Sequence, residues 1–73
     1  MEEKEMKLSA RNQFKGKVIE IKEGAVNASV KIEIAKDVVI SSTISMEAVK
    51  ELGLTVGAEA TAVIKATSVM VMA

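Results

Sequence analysis

Between Val26 and Ile34 apolar and polar residues alternate without a break: Val26, Ala28, Val30, Ile32 and Ile34 share one face, and Asn27, Ser29, Lys31 and Glu33 the other. Successive side chains of a strand point to opposite sides, so this stretch buries one face and leaves the other to water. A single strand of this kind has no stability alone; the rest of the chain must supply partners and an apolar layer.

Those partners are legible on both sides. From Phe14 to Ile21, "FKGKVIEI" alternates at Phe14, Gly16 and Val18, then changes phase at Ile19 and Ile21, which predicts a bulge in a strongly bent strand. "KEGA" turns the chain at Gly24. Lys36-Asp37 offers a polar turn, and the β-branched run "VVISSTI" reads as a third strand. The period then changes in "SMEAVKELG". Met46, Val49 and Leu52 fall on one helical face, with Ser45 in the N-cap position and Gly53 as terminator, giving a helix of about two turns. After a turn at Val56-Gly57, "EATAVIKA" and "SVMVMA" read as two further strands. Five strands with one short helix between the third and fourth describe an all-β, OB-like Greek-key barrel.

The chain has 73 residues, 49% of them apolar with Phe14 the single aromatic, and neither Cys nor His. At this size folding buries only about 60% of the surface that the unfolded chain exposes, and the usual supports, disulfides or zinc, cannot be built. Self-association is the support left, and the apolar content exceeds what one small barrel can hide. The expected organisation is a single domain over residues 7–73, preceded by a disordered or expression-derived tail over residues 1–6. No apolar run is long enough to span a membrane and no leader pattern opens the chain, so a cytoplasmic location is expected.

Several functions are disfavoured at this level. The common nucleophile–base pairs need His or Cys, and the acids lie singly on alternating strands or the helix surface, so no catalytic residue is assigned and no enzyme is expected. No Gly-rich phosphate loop is present. OB-type barrels that bind single strands stack bases on aromatic platforms along a positive groove; one Phe and ten basic against ten acidic residues supply neither.

Three features remain as donor groups. Arg11, the only arginine, stands with Ser9 just before the first strand. Ser45 begins the short helix, whose first N–H groups, near Glu47 and Ala48, lack intrahelical partners. Lys65 falls in the predicted strand "TAVIKAT". Together they form a donor-only, positive set suited to a small dianion. Each also has an ordinary explanation: a surface ion pair of Arg11 with Glu20 or Glu59, a plain cap at Ser45, and a solvated or edge-guarding lysine.

Four segments, "SARNQFKGKV" (Ser9–Val18), "GAVNASVKIEI" (Gly24–Ile34), "ISSTIS" with "AVKELGL" (Ile40–Leu54) and "VIKATSVMV" (Val63–Val71), occur in an order that closely resembles the molbindin, or Mop, family of small molybdate-binding proteins, whose TOBE/Mop module also occurs in molybdate-responsive regulators and transport ATPases. The resemblance runs from about Lys7 to the C-terminus. It implies a five-stranded barrel that exchanges strands with a neighbour, a hexamer built as a trimer of dimers, and oxyanion sites between subunits. It implies molybdate, with tungstate close behind, as the ligand; no cofactor is expected, and the composition read above gives no nucleic-acid or membrane partner. Carried onto matching positions, Ser9, Ala10 and Arg11 would come from one subunit, and Ser45, Ala48, Lys65 and Ala66 from another. Some relatives carry a hydroxyl residue where this chain has Ala48, so here only the backbone N–H can serve. The family's second kind of site, on the threefold axis, is not assigned to residues. The resemblance implies molybdenum storage and homeostasis; the alternatives are a molybdate-sensing regulatory or assembly module and, outside the family, a single-stranded nucleic-acid binder.

Overall fold

The computed structural model describes residues 10–73; the predicted tail and Ser9 lie outside the described residues. The order of elements is β1 (Asn12–Glu23), β2 (Asn27–Ala35), β3 (Val38–Ser45), α1 (Met46–Leu52) and β4 (Glu59–Ile64), followed by a 3-10 turn at Ala66–Ser68. The strands form one antiparallel sheet in the order β3-β2-β1-β4.

The predicted alternation sets the core. Ala28, Val30 and Ile32 of β2 are buried together with Val18, Val49 and Ala62, and Ile21, Ile34, Ile40, Ile44, Met46, Leu54 and Ala60 pack around them. No charged or polar side chain is buried among the described residues. Six buried apolar residues make a small core, in keeping with the marginal stability expected of a chain this short. Other apolar side chains stay in water, among them Val26, Leu52, Val56 and the C-terminal Met70, Val71 and Met72.

β1 is the long, bent strand of the sequence reading. Its first half, Asn12 to Lys17, pairs with β4, and from Lys17 to Glu23 it pairs with β2. The predicted bulge falls where the phase changes: Val18 pairs with Ile32 and Glu20 with Lys31, leaving Ile19 as the extra residue. Gly16 marks the crossing, where the end of β2 approaches so closely that a Cβ would lie 2.3 Å from the Glu33 carbonyl oxygen. β1 starts at Asn12, two residues before the first apolar position of the predicted strand, because β4 continues to Ile64 and pairs with it.

The local signals hold at the remaining junctions. Gly24 N–H donates to the Asn27 carbonyl at 2.8 Å, closing the first turn. Asp37, in the Lys36-Asp37 turn, takes a positive φ of 62°, a conformation Asp tolerates better than most residues. Helix α1 is capped at both ends. Ser45 Oγ accepts from Ala48 N–H at 3.0 Å; at the other end Gly53 (φ 65°) donates to Lys50 C=O and Leu54 N–H to Val49 C=O, each at 3.1 Å. That pair of bonds is the Schellman arrangement, and it turns Leu54 back toward the core.

Three expectations are corrected. Leu52 is exposed: each three-residue step turns a helix by about 300°, so two steps carry it roughly 120° away from the direction of Met46, and Leu54 packs on the core instead. β4 ends at Ile64, so Lys65 lies outside the strand and precedes the 3-10 turn. The predicted fifth strand, Ser68 to Ala73, is not a strand here: its apolar alternation is real, but it lines up with no sheet edge of this chain. Among the described residues no helix is long and apolar enough to cross a membrane.

Candidate functional site

The final pair of the β1–β4 ladder is Asn12 with Ile64. Arg11 and Lys65 are therefore the next residues along the two chains, 54 positions apart in sequence and brought to the same end of the sheet by strand pairing alone. Both are exposed, with Ala10 before the first and Ala66 after the second. The Asn12 side chain adds a bond across this end, its Nδ2 donating to the Ile64 carbonyl at 3.2 Å from a half-buried position.

The ordinary explanation for Arg11, an ion pair with Glu20 or Glu59, is not what the structure has. Glu59 lies 3.7 Å from Lys15 Nζ and Glu20 lies 3.7 Å from Lys31 Nζ. Among the described residues neither Arg11 nor Lys65 has a carboxylate partner. Two like charges at one strand end raise the local positive potential, which an anion there would neutralise.

The second group of donors sits elsewhere. Ser45 is the last residue of β3, paired with Asn27, and its main chain leads directly into α1. Because Ser45 Oγ takes the Ala48 N–H, that N–H already has a partner, while the Ser45 hydroxyl proton remains to be donated outward. β3 and β4 are the two edges of the sheet, with β2 and β1 between them. The chain thus groups Arg11, at the start of inner strand β1, with Lys65 and Ala66 after edge strand β4, and Ser45 with Ala48 at the end of the other edge strand, β3.

Residue-type reasoning found Arg11, Ser45 and Lys65 but not Asn12. Its only sequence signal is its place beside Arg11; what matters is its partner in β4, which strand register alone supplies. No group of three or more metal-ligating His, Cys, Asp or Glu side chains occurs among the described residues.

The comparisons with known proteins agree with this architecture. Residues 8–71 match the TOBE domain. Over 66 residues the chain is 65% identical to a "Probable molybdenum-pterin-binding protein" of Haemophilus influenzae, covering 90% of this chain and 96% of that one. The molybdate-binding protein of Sporomusa ovata, whose structure is known at high resolution, superposes with a TM-score of 0.87 at 34% identity, covering 93% of this chain and all of that one. ModG, described as a cytoplasmic molybdate-binding protein and solved with molybdate bound, gives a TM-score of 0.80 at 51% identity over 84% of this chain; the match spans 43% of the ModG chain. With a domain match over nearly its whole length and a relative of this identity, the chain belongs to the TOBE-domain family, among its molybdenum-pterin-binding, or Mop, proteins.

Proposed function

We propose that this protein binds molybdate as the intact oxyanion, without transforming it, and holds it for intracellular storage and homeostasis. The observation that carries the reading is the Arg11–Lys65 end of the β1–β4 ladder: two cations with no carboxylate partner among the described residues, in a chain whose relatives include molybdate-binding proteins. The cytoplasmic placement follows the ModG description.

Molybdate is a fully deprotonated tetrahedral dianion near neutral pH, so each of its oxygens seeks a donor. A guanidinium fork, an ammonium, a hydroxyl and backbone N–H groups are donors, and charge-assisted bonds of this type are the strong ones. Phosphate retains a proton that needs an acceptor, and in this set only the serine hydroxyls could supply one. Sulfate is smaller and is separated by fit; tungstate, equal in charge and close in size, binds nearly as well. The two donor groups lie on different strands of one chain, Arg11 and Lys65 at the β1–β4 end and Ser45 at the end of β3, so enclosure of an anion calls for the Arg11 end of one subunit against the Ser45 end of another. Ser9 and Ala10 would join Arg11, and the Ala66 main chain would line the remainder; the Ala48 N–H, held by Ser45 Oγ, would act by orienting that hydroxyl toward the anion. The exposed apolar segment Val69–Met72 gives such an assembly, a strand-exchanged hexamer, surface to bury.

The test is Arg11→Ala. Loss of a charged hydrogen-bonding group costs about 2–3 kcal/mol, which is a roughly 30- to 150-fold weaker Kd for molybdate. Calorimetric titration measures this while light scattering checks that the assembly is unchanged. Parent-like affinity in an intact assembly refutes the assignment.

A further inference from the structure

We infer that Asn12 is a positioning residue for the anion site, acting through Arg11, an inference that rests on the molybdate reading above. Arg11 and Lys65 are exposed, long and rich in rotamers, and holding each in one geometry costs about 2 kcal/mol of side-chain entropy. They also repel each other at the end of a ladder, where pairing frays most easily. The bond from Asn12 Nδ2 to the Ile64 carbonyl, 3.2 Å long, crosses from β1 to β4 at this last pair. It ties the side chain of the residue just after Arg11 to the backbone of the residue just before Lys65.

Its character sets it apart from the other side-chain bonds. Gln13 to the Ala10 carbonyl, Glu33 to Asp37 N–H and Ser45 to Ala48 N–H all span three or four residues and are local. Asn12 to Ile64 spans 52, and it is half-buried. Among the described residues it is the one side-chain hydrogen bond that ties distant parts of the chain, and it does so where the two unpaired cations emerge. Lengthening or losing it lets the two strand ends splay and frees the fork of Arg11 from its direction. Among the described residues the amide makes no hydrogen bond to either cation, so its effect on the anion passes through the placement of Arg11.

The single arginine gives this a direct readout, because the protein has one Arg Nε–H signal in a nitrogen-15 correlation spectrum. The experiment compares parent and Asn12→Leu, which keeps the branched shape and removes the donor, by molybdate titration, light scattering and the Arg11 Nε–H signal with sodium molybdate in excess. We expect Kd to rise about fivefold, as for one lost hydrogen bond, with unchanged mass. The Arg11 Nε–H signal, shifted and protected from exchange in the loaded parent, should return toward its unloaded position and exchange rate in the variant. An unchanged Kd overturns the inference. So does a weaker Kd with a parent-like Arg11 signal, which makes Asn12 merely structural. If the parent's own Arg11 signal ignores molybdate, the site reading itself has failed and the role of Asn12 with it. Should Asn12→Leu not assemble, Asn12→Gln, whose amide is one methylene too far out for the same bond, is judged by the same readings.

Discussion

Gly16→Ala adds one methyl group at the point where β1 leaves β4 and joins β2. An ideal Cβ there lies 2.3 Å from the Glu33 carbonyl oxygen, 2.9 Å from its carbon and 3.0 Å from Ile34 Cα. Ordinary contact begins at 3.4 Å, so the oxygen is about 1 Å too close, and all three atoms are backbone with no flexible end to swing aside. The end of β2 must move as a unit or β1 must straighten. Overpacking of this kind costs about 1–3 kcal/mol, and the rigid obstacle puts the substitution at the upper end. Alanine also restricts the unfolded chain, which offsets about 0.4–1 kcal/mol. The net is a destabilisation of about 2 kcal/mol, equivalent to a fall in Tm of roughly 8–16 °C for a domain of this size. With no Trp or Tyr to follow by fluorescence, thermal unfolding is measured by far-UV circular dichroism at matched protein concentration, since association makes Tm concentration-dependent. An alanine variant as stable as the parent refutes the claim that β2 crosses β1 in contact at Gly16.

Three further outcomes follow from the packing and caps. Ser45→Ala removes the acceptor for Ala48 N–H and costs about 1 kcal/mol, a Tm drop of roughly 4–8 °C, with weaker molybdate binding as well; unfolding and titration on the same preparation measure both. Val30→Ala, at one of the two most deeply buried side chains, costs about 2 kcal/mol in denaturant unfolding with an unchanged slope. Glu59→Gln breaks the 3.7 Å pair with Lys15, both side chains largely exposed, and shifts stability by less than about 0.5 kcal/mol in the same assay.

What the sequence disclosed was the short-range part of the structure. Ser45 and Gly53 cap α1 through bonds that reach three to five residues, so residue type and spacing suffice to find them. The bulge at Ile19 was visible because an extra residue reverses the inside–outside phase, and that reversal is written in the apolar pattern itself. The C-terminal segment shows the limit of the same signal. "SVMVMA" alternates as a strand does, yet a strand exists only where an edge pairs with it, and here neither β3 nor β4 does.

The site was legible in its chemistry and not in its grouping. A lone Arg, a helix-start Ser and a Lys between apolar residues are recognisable as donors. That Arg11 meets Lys65 depends on β1 pairing with β4 across most of the chain, which no local pattern encodes. Asn12 was missed for the same reason, since an asparagine gains its meaning here from a carbonyl 52 residues away.

The most direct test of the central claim is a calorimetric titration of the purified, anion-free protein with sodium molybdate, with sulfate and phosphate in the same buffer as comparisons. The account predicts saturable molybdate binding with weak or absent heats from the other two. Equal binding of all three, or no molybdate binding by titration and by equilibrium dialysis, would contradict it.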